Sequence, residues 1–427
     1  MSTSDRDILP NNIKPINYDL SLFNLEFGGS WGYDGLVKIE AHVSPTKEVV
    51  INTKELKVTG ATVVNSDGKV LASMTNVSDD TKNERATIAL DRELPSGDAV
   101  LAIEFKGTMN NSLAGFYRSK YKPTVTPAAG VPKEGEHHYM FSTQFEACDA
   151  RRAFPCFDEP NLKASFELSI EIPDDLVALS NMPEKNVTKG GKAGTKVVSF
   201  EKTPKMSTYL AAWAVGDFEY VEAHTERKYN GKNMPVRVYS TRGLKEQGRF
   251  ALEHAHKTLD YFSEIFGIDY PLPKSDLLAV HEFAMGAMEN WGLVTYRTTA
   301  VLFDEEKSDA RSKNRVAYIV AHELAHQWFG NLVTMDWWNE LWLNEGFATW
   351  VGWLAVDHLH PEWKVWSQFV VRRMSRGTLP LLPCLQCNRL KLFKQLCNSI
   401  PYERLTQSKY PSEMPSKLTK SSTTSVI

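Results

Sequence analysis

His322, Glu323 and His326 stand at the spacing His-Glu-x-x-His, inside a stretch from about Ser308 to Phe329 where Val316, Ile319, Val320 and Leu324 recur at helical intervals. Residues four apart on a helix sit one turn apart on the same face, so the two imidazoles can share one metal ion. Zinc accepts neutral histidine nitrogen readily. Glu323 lies a step round the helix, where its carboxylate can take a proton from a nucleophilic water. That combination is metallopeptidase chemistry. A buried histidine pair without such a role is uncommon, because each ring brings a polar nitrogen that needs a partner. Ser308 is the predicted N-cap of this helix and Gly330 its predicted stop.

A catalytic zinc usually takes three protein ligands and keeps a fourth position open. The downstream candidates are Asp336, Glu340, Glu345, Asp357, His358 and His360. The run Gln327-Trp328-Phe329-Gly330-Asn331-Leu332 lacks the Gly and His that a metzincin would place there, which excludes that class. Glu345 opens the next predicted helical stretch, running to Leu354, 19 residues beyond His326. A first-turn Glu can simply complement a helix dipole. With the histidine pair in place, the ligand reading of Glu345 is the stronger one.

Trp337-Trp338, followed by Leu341-Trp342-Leu343-Asn344-Glu345-Gly346-Phe347-Ala348, resembles the gluzincin zinc aminopeptidases, specifically the puromycin-sensitive and alanyl aminopeptidase family. The resemblance runs from about Ile13 to about Phe369. It implies that His322, His326 and Glu345 bind one Zn2+ per chain and that Glu323 is the general base. Upstream, Gly286-Ala287-Met288-Glu289-Asn290 matches the family's exopeptidase signature without a mismatch. An aminopeptidase must recognise a free α-ammonium and set the first peptide bond over the metal, which a desolvated carboxylate at a fixed distance can do. The resemblance gives Glu289 that task, with the signature's small residues letting backbone run close to substrate. Thr143 to Cys156 resembles the family's N-domain segment that reaches the active site, which makes Glu146 the second amine-binding carboxylate and Gln144 a neighbouring polar contact. A related branch that hydrolyses a lipid epoxide carries Gln where this chain has Glu146, so the peptidase reading is favoured. The implied partners are peptides with a free N-terminus.

These motifs need a scaffold, and 427 residues suffice for two or three domains. The first half reads as antiparallel β-structure: Val37, Ile39, Ala41 and Val43 alternate with other residues, as do Leu101, Ile103 and Phe105. Ser66-Asp67-Gly68 and Pro95-Ser96-Gly97 are turn signals. From about Lys245 the pattern turns helical, and nine of the 11 Trp fall between Trp291 and Trp366, as core and pocket wall. The expected fold is multidomain α+β: an N-terminal antiparallel β-sandwich or saddle domain over 1–216, then a thermolysin-like zinc peptidase domain over 217–371, left incomplete. No run of 18 apolar residues is present, the start is polar without an apolar signal core, and the Cys count is an odd five. Those features predict a cytoplasmic chain with reduced thiols, no membrane partner and no nucleic-acid partner. The sequons Asn76-Val77-Ser78 and Asn186-Val187-Thr188 are expected in loops.

Residues 372–427 differ from the rest. They carry ten Lys or Arg against two acids, a balance of +8, where the preceding residues carry −11. They hold three of the five Cys and no Trp, and Cys384-Leu385-Gln386-Cys387 lacks a partner pair. A weakly structured basic tail is expected. The family's pattern continues beyond this point and carries, about 60 residues after the third ligand, a tyrosine that hydrogen-bonds the oxyanion. Neither Ile400-Pro401-Tyr402 nor Ser408-Lys409-Tyr410-Pro411 matches it, so the transition-state tyrosine stays unassigned. The sequence thus looks like a truncated aminopeptidase with an unrelated ending, and one lost oxyanion donor would cost about 100-fold or more in rate. The rival reading is a fragment that binds zinc or peptides without turnover.

Overall fold

The computed structural model describes residues 7–368. The predicted tail, with Cys384, Cys387, Cys397, Tyr402 and Tyr410, lies outside the described residues, as does the end of the predicted peptidase domain. The described chain is mixed α+β, with an N-terminal part that is almost wholly strand.

Alternation of apolar residues drives the largest sheet. Val37, Ile39, Ala41 and Val43 all point inward from strand Gly32–Val43, and Leu101, Ile103 and Phe105 do so from Gly97–Thr108. These two strands pair antiparallel along their whole length in the middle of a ten-stranded sheet. Both predicted turns are present, and Gly68 and Gly97 sit there at positive φ. A second sheet joins Val177–Ser180, Trp213–Gly216, His137–Gln144 and Gly115–Tyr121. Its strand His137–Gln144 ends where the Gln144–Glu146 segment begins. The two sequons lie on strands, Asn76 in Val70–Asp80 and Asn186 in Glu184–Lys189, rather than in loops. Both asparagines are exposed, so each strand supplies polar outward positions that read in sequence as loop.

A third, five-stranded sheet follows, in the order Phe218–Tyr229, Lys232–Thr241, Ser275–Val280, Leu293–Arg297, Ala287–Met288. The expectation that the pattern turns helical from about Lys245 therefore fails between 275 and 297, where three strands lie. Ser275–Val280 is buried at every position, so it carries no period-two signal. The helices are α1 (Arg249–Phe266), the single turn α2 (Thr298–Val301), α3 (Ala310–His326) and α4 (Leu341–Leu359). α1 ends on Gly267 in the left-handed conformation, a C-cap that glycine adopts without strain. Trp291, Trp328 and Trp353 are core residues, whereas Trp342 is exposed. No helix among the described residues is long and apolar enough to cross a membrane.

Candidate metal and substrate site

α3 begins one residue later than predicted. Its N-cap is Asp309, whose carboxylate accepts from the Ser312 backbone N–H at 2.8 Å. It ends at His326 rather than at Gly330, and the backbone then turns through Gly330, whose φ of 139° suits glycine. The face carrying Val316, Val320, Glu323, Leu324 and His326 is buried. α4 starts four residues before Glu345, so Glu345 stands in its second turn rather than its first. α4 is apolar on nearly every face, and no periodicity marked its start. Gly352 sets the contact between the two helices: a Cβ there would lie 3.1 Å from the Cα and N of His322. That close approach puts Glu345 opposite the histidines.

The three predicted ligands meet. His322 Nε2 lies 3.1 Å from His326 Nε2 and 3.3 Å from Glu345 Oε2, and His326 Nε2 lies 3.8 Å from the same oxygen. A tetrahedral ion with ligands at about 2.0–2.1 Å holds its ligand atoms about 3.3 Å apart, so the spacing suits one metal ion. A second group of ligand-type atoms, on Glu289, Glu323 and His326, also lies within 4.8 Å. The imidazole tautomer separates the two. His326 Nδ1 lies 2.9 Å from the Phe329 carbonyl, which can only accept, so Nδ1 carries the proton and Nε2 is the free lone pair. Glu289 approaches the Nδ1 side, at 3.8 Å. The set suited to hold a metal ion is therefore His322, His326 and Glu345.

The carboxylates fall into two kinds. Glu345 is half-exposed, and its hydrogen bond from His322 holds its pKa below the usual carboxylate range. The other three are buried acids facing one another. Burial, with the Glu345 and Glu146 charges outweighing the His322 imidazole, pushes Glu323 up to about 8. Burial, then the charge of Glu345, raises Glu146 to about 7 against the opposing pull of His322. Burial and the charges of Glu146 and Glu323 lift Glu289 well above the usual value. Glu289 Oε1, Glu146 Oε1 and Gln144 Oε1 are buried without a hydrogen-bond partner among the described residues. Orphaned buried acceptors beside a metal-type triad are what a pocket for a cationic ligand requires.

Glu289 follows the edge strand Ala287–Met288, which pairs on one side with Leu293–Arg297. The segment descends from exposed Gly286 to buried Met288, Glu289 and Asn290. Nothing would meet a Cβ at Gly286, which leaves open space beside the strand. The close backbone approach lies instead at Gly292, where φ is 81° and a Cβ would fall 2.2 Å from the Asn181 carbonyl oxygen. Asn290 Nδ2 donates to Thr295 Oγ1 at 3.1 Å. Gln144 is buried at the end of its strand, and Glu146 lies two residues beyond, before a cis Glu146–Ala147 peptide.

Sequence reasoning missed the residues that hold these groups. Gln327 Nε2 donates to the Glu289 carbonyl at 3.2 Å and to the Glu323 carbonyl at 3.1 Å. Asn331 Nδ2 donates to the same Glu289 carbonyl at 2.8 Å. Tyr209, from the N-terminal part, donates to the Gly330 carbonyl at 3.2 Å, and the charges of Glu289, Glu146 and Glu345 add to the burial that raises its pKa. Proximity of Gln327 and Asn331 to the histidine motif was the one available signal, and it says nothing about Glu289.

The profile described as "Peptidase M1 N-terminal domain" matches residues 14–210, and that described as "Peptidase family M1 domain" matches residues 250–380. Aminopeptidase 2, mitochondrial, of Saccharomyces cerevisiae is 47% identical over 373 residues, covering 86% of this chain and 37% of the relative. Aminopeptidase M1 of Arabidopsis thaliana is 48% identical over 366 residues, 85% of this chain and 39% of that protein. Alanine/arginine aminopeptidase of Saccharomyces cerevisiae is 46% identical over 377 residues, 87% of this chain and 41% of that protein. The chain thus spans about two fifths of the length of these relatives. With both profiles matched in order, and His322, His326 and Glu345 gathered at one point beside Glu323, the chain belongs to peptidase family M1.

Proposed function

We propose that this chain carries the catalytic centre of a zinc aminopeptidase, which releases N-terminal residues from peptides. The observation that carries the reading is the pairing of a three-ligand metal set with buried, unpartnered carboxylates on its flank. His322, His326 and Glu345 would hold Zn2+. Bound there, zinc polarises the scissile carbonyl and lowers the pKa of water toward about 7. Glu323 takes the proton of the attacking water and delivers it to the leaving amine. Glu289 and Glu146 accept charge-assisted hydrogen bonds from the substrate's terminal ammonium, with Gln144 adding a polar contact. Gly286, Ala287, Met288 and Asn290 form the edge along which the substrate backbone lies, because among the described residues this strand has no neighbour on its outer side.

We place the boundary between the β-domain and the peptidase domain at about Gly216/Asp217, where the third sheet begins with Phe218–Tyr229. The cytoplasmic reading rests on thiols: Cys148 and Cys156 are both unpaired. The test is turnover of an alanyl fluorogenic amide by the zinc-loaded chain, beside its N-acetylated twin and a Glu323→Gln blank. Zinc-dependent cleavage of the free-amine substrate alone supports the reading. Equal cleavage of both would replace it with an endopeptidase, and zinc binding without turnover with a binding fragment.

A further inference from the structure

The end of the amine-reading segment is tied down by a buried lysine that belongs neither to the metal set nor to the pocket. Lys274 is 4% exposed. Its ammonium has three N–H groups and meets three acceptors, each at 2.7 Å: the Ser180 carbonyl, the Gly292 carbonyl and Asp276 Oδ2. Ser180 ends a strand of the N-terminal part, and Gly292 lies three residues after Glu289. The Asp276 backbone N–H also donates to the Gly292 carbonyl, at 3.1 Å. Beside it, Asn181 Nδ2 donates to the Trp291 carbonyl at 2.8 Å and to the Leu210 carbonyl at 2.7 Å, while its Oδ1 accepts from the Ala212 N–H at 2.9 Å. Gly292 permits the contact, having no Cβ to strike the Asn181 carbonyl.

Burying an ammonium and a carboxylate together is costly and adds little net stability over an apolar pair. Apolar packing could hold two sheets together more cheaply. What it could not do is fix the register of three main-chain carbonyls. Glu289 is gripped at its own carbonyl by Gln327 and Asn331 from the metal-bearing side. Trp291 and Gly292 are gripped from the N-terminal side by Asn181 and Lys274. The N-terminal part also supplies Glu146, so the same clamp fixes the spacing between both ammonium-reading carboxylates.

We propose that Lys274, with Asn181, is a positioning residue for terminal-amine recognition, locking the Glu289 segment to the N-terminal part that carries Glu146. This rests on the aminopeptidase reading above. The test compares the full chain with Lys274→Met/Asp276→Asn, which removes both charges together, and with Asn181→Ser, which keeps the ion pair and decides the matter if the double variant does not fold. Three measurements are made on each: zinc content, hydrogen exchange of residues 286–293 against 310–326, and calorimetric affinity for dialanine and N-acetyl-dialanine with turnover blocked in every protein by Glu323→Gln. Expected in the variants are unchanged zinc, at least about tenfold faster exchange confined to 286–293, and about tenfold less preference for dialanine. Unchanged exchange at 286–293, or faster exchange with the preference intact, overturns the proposal and leaves the clamp a structural tie. No preference for dialanine in the unaltered chain sinks the aminopeptidase reading itself, and the proposal with it.

Discussion

The proposed metal-binding half of the site and its proposed amine-binding half are built on different principles. His322, His326 and Glu345 come from two packed helices and face one another: the carboxylate is held low by the imidazole it faces, and His326 has its tautomer fixed by a carbonyl one turn away, although His322 Nδ1 is buried without a hydrogen-bond partner among the described residues. Glu289 and Glu146 come from an edge strand and from the N-terminal part, and each has a buried oxygen with no partner. One half has its carboxylate charge paired before anything binds. The other is held in an unfavourable state by the scaffold around it, through Gln327, Asn331, Asn181 and Lys274. The difference teaches where stability has been given up. Raised carboxyl pKa values gather at Glu289 and Glu146, while Glu345 beside the histidines is held low.

The largest expected effects strike the proposed metal ligands and the proposed base beside them. His326→Ala leaves two ligands, so zinc content measured by elemental analysis should fall from near one per chain to near zero. Glu323→Gln should keep the zinc and lower turnover by about 100- to 10,000-fold, the usual range for a positioned general base. Unchanged zinc in His326→Ala would move the metal to another set. Next comes the dependent half. Glu289→Ala removes one charge-assisted acceptor, worth about 1.5–3 kcal/mol, so the preference for a free-amine substrate over its N-acetyl twin should shrink by about 10- to 150-fold with zinc unaffected. Loss of zinc in that variant would show that the two halves are not separable.

The same contrast governs what the sequence made legible. The histidine spacing is local and periodic, so its geometry followed from helix pitch alone. Glu345 could be expected beside the histidines while its helix was begun four residues late and ended five early, because α4 is apolar all round and offers no phase. Strand Ser275–Val280 was lost to a helical reading for a related reason, burial on both faces. Glu289 and Glu146 were found by resemblance alone, since no rule of spacing connects a strand end near 146 with an edge strand near 288. The holding residues were invisible. A buried Lys or Asn looks in sequence like any surface residue, and its role lies in contacts between parts far apart in the chain.

A smaller effect sharpens the comparison from the metal-bearing side. Asn331→Ala removes the donor 2.8 Å from the Glu289 carbonyl but leaves Gln327 Nε2 on the same oxygen. With one donor retained, the carbonyl is not orphaned, so the loss should sit near the lower end of about 1–3 kcal/mol for a buried hydrogen bond. Chemical denaturation should report that loss, and the free-amine preference should fall by less than in Glu289→Ala. An amine preference reduced as far as in Glu289→Ala would mean that the main-chain grip, rather than the carboxylate, limits recognition.

The smallest effect at neutral pH lies away from both halves and calibrates them. His254 on α1 is fully buried, and burial, aided by the His360 and Lys257 charges, lowers its pKa from 6.5 to about 3. Its folded-state pKa lies below the unfolded one, so the unfolded chain binds a proton the folded chain refuses. The stability linked to this group is therefore fully present above about pH 6.5 and is lost progressively as pH falls toward 3. Replacing His254 by Gln removes that term, because an amide does not titrate in this range. The denaturation midpoint of His254→Gln should fall less steeply between pH 7 and pH 5 than that of the parent, even if it starts lower through lost packing against Phe250 and His360. Parallel pH profiles in the two proteins would show that the acid sensitivity arises elsewhere, and His281, another imidazole that burial holds neutral with its pKa lowered to about 4, would then be the group to examine first.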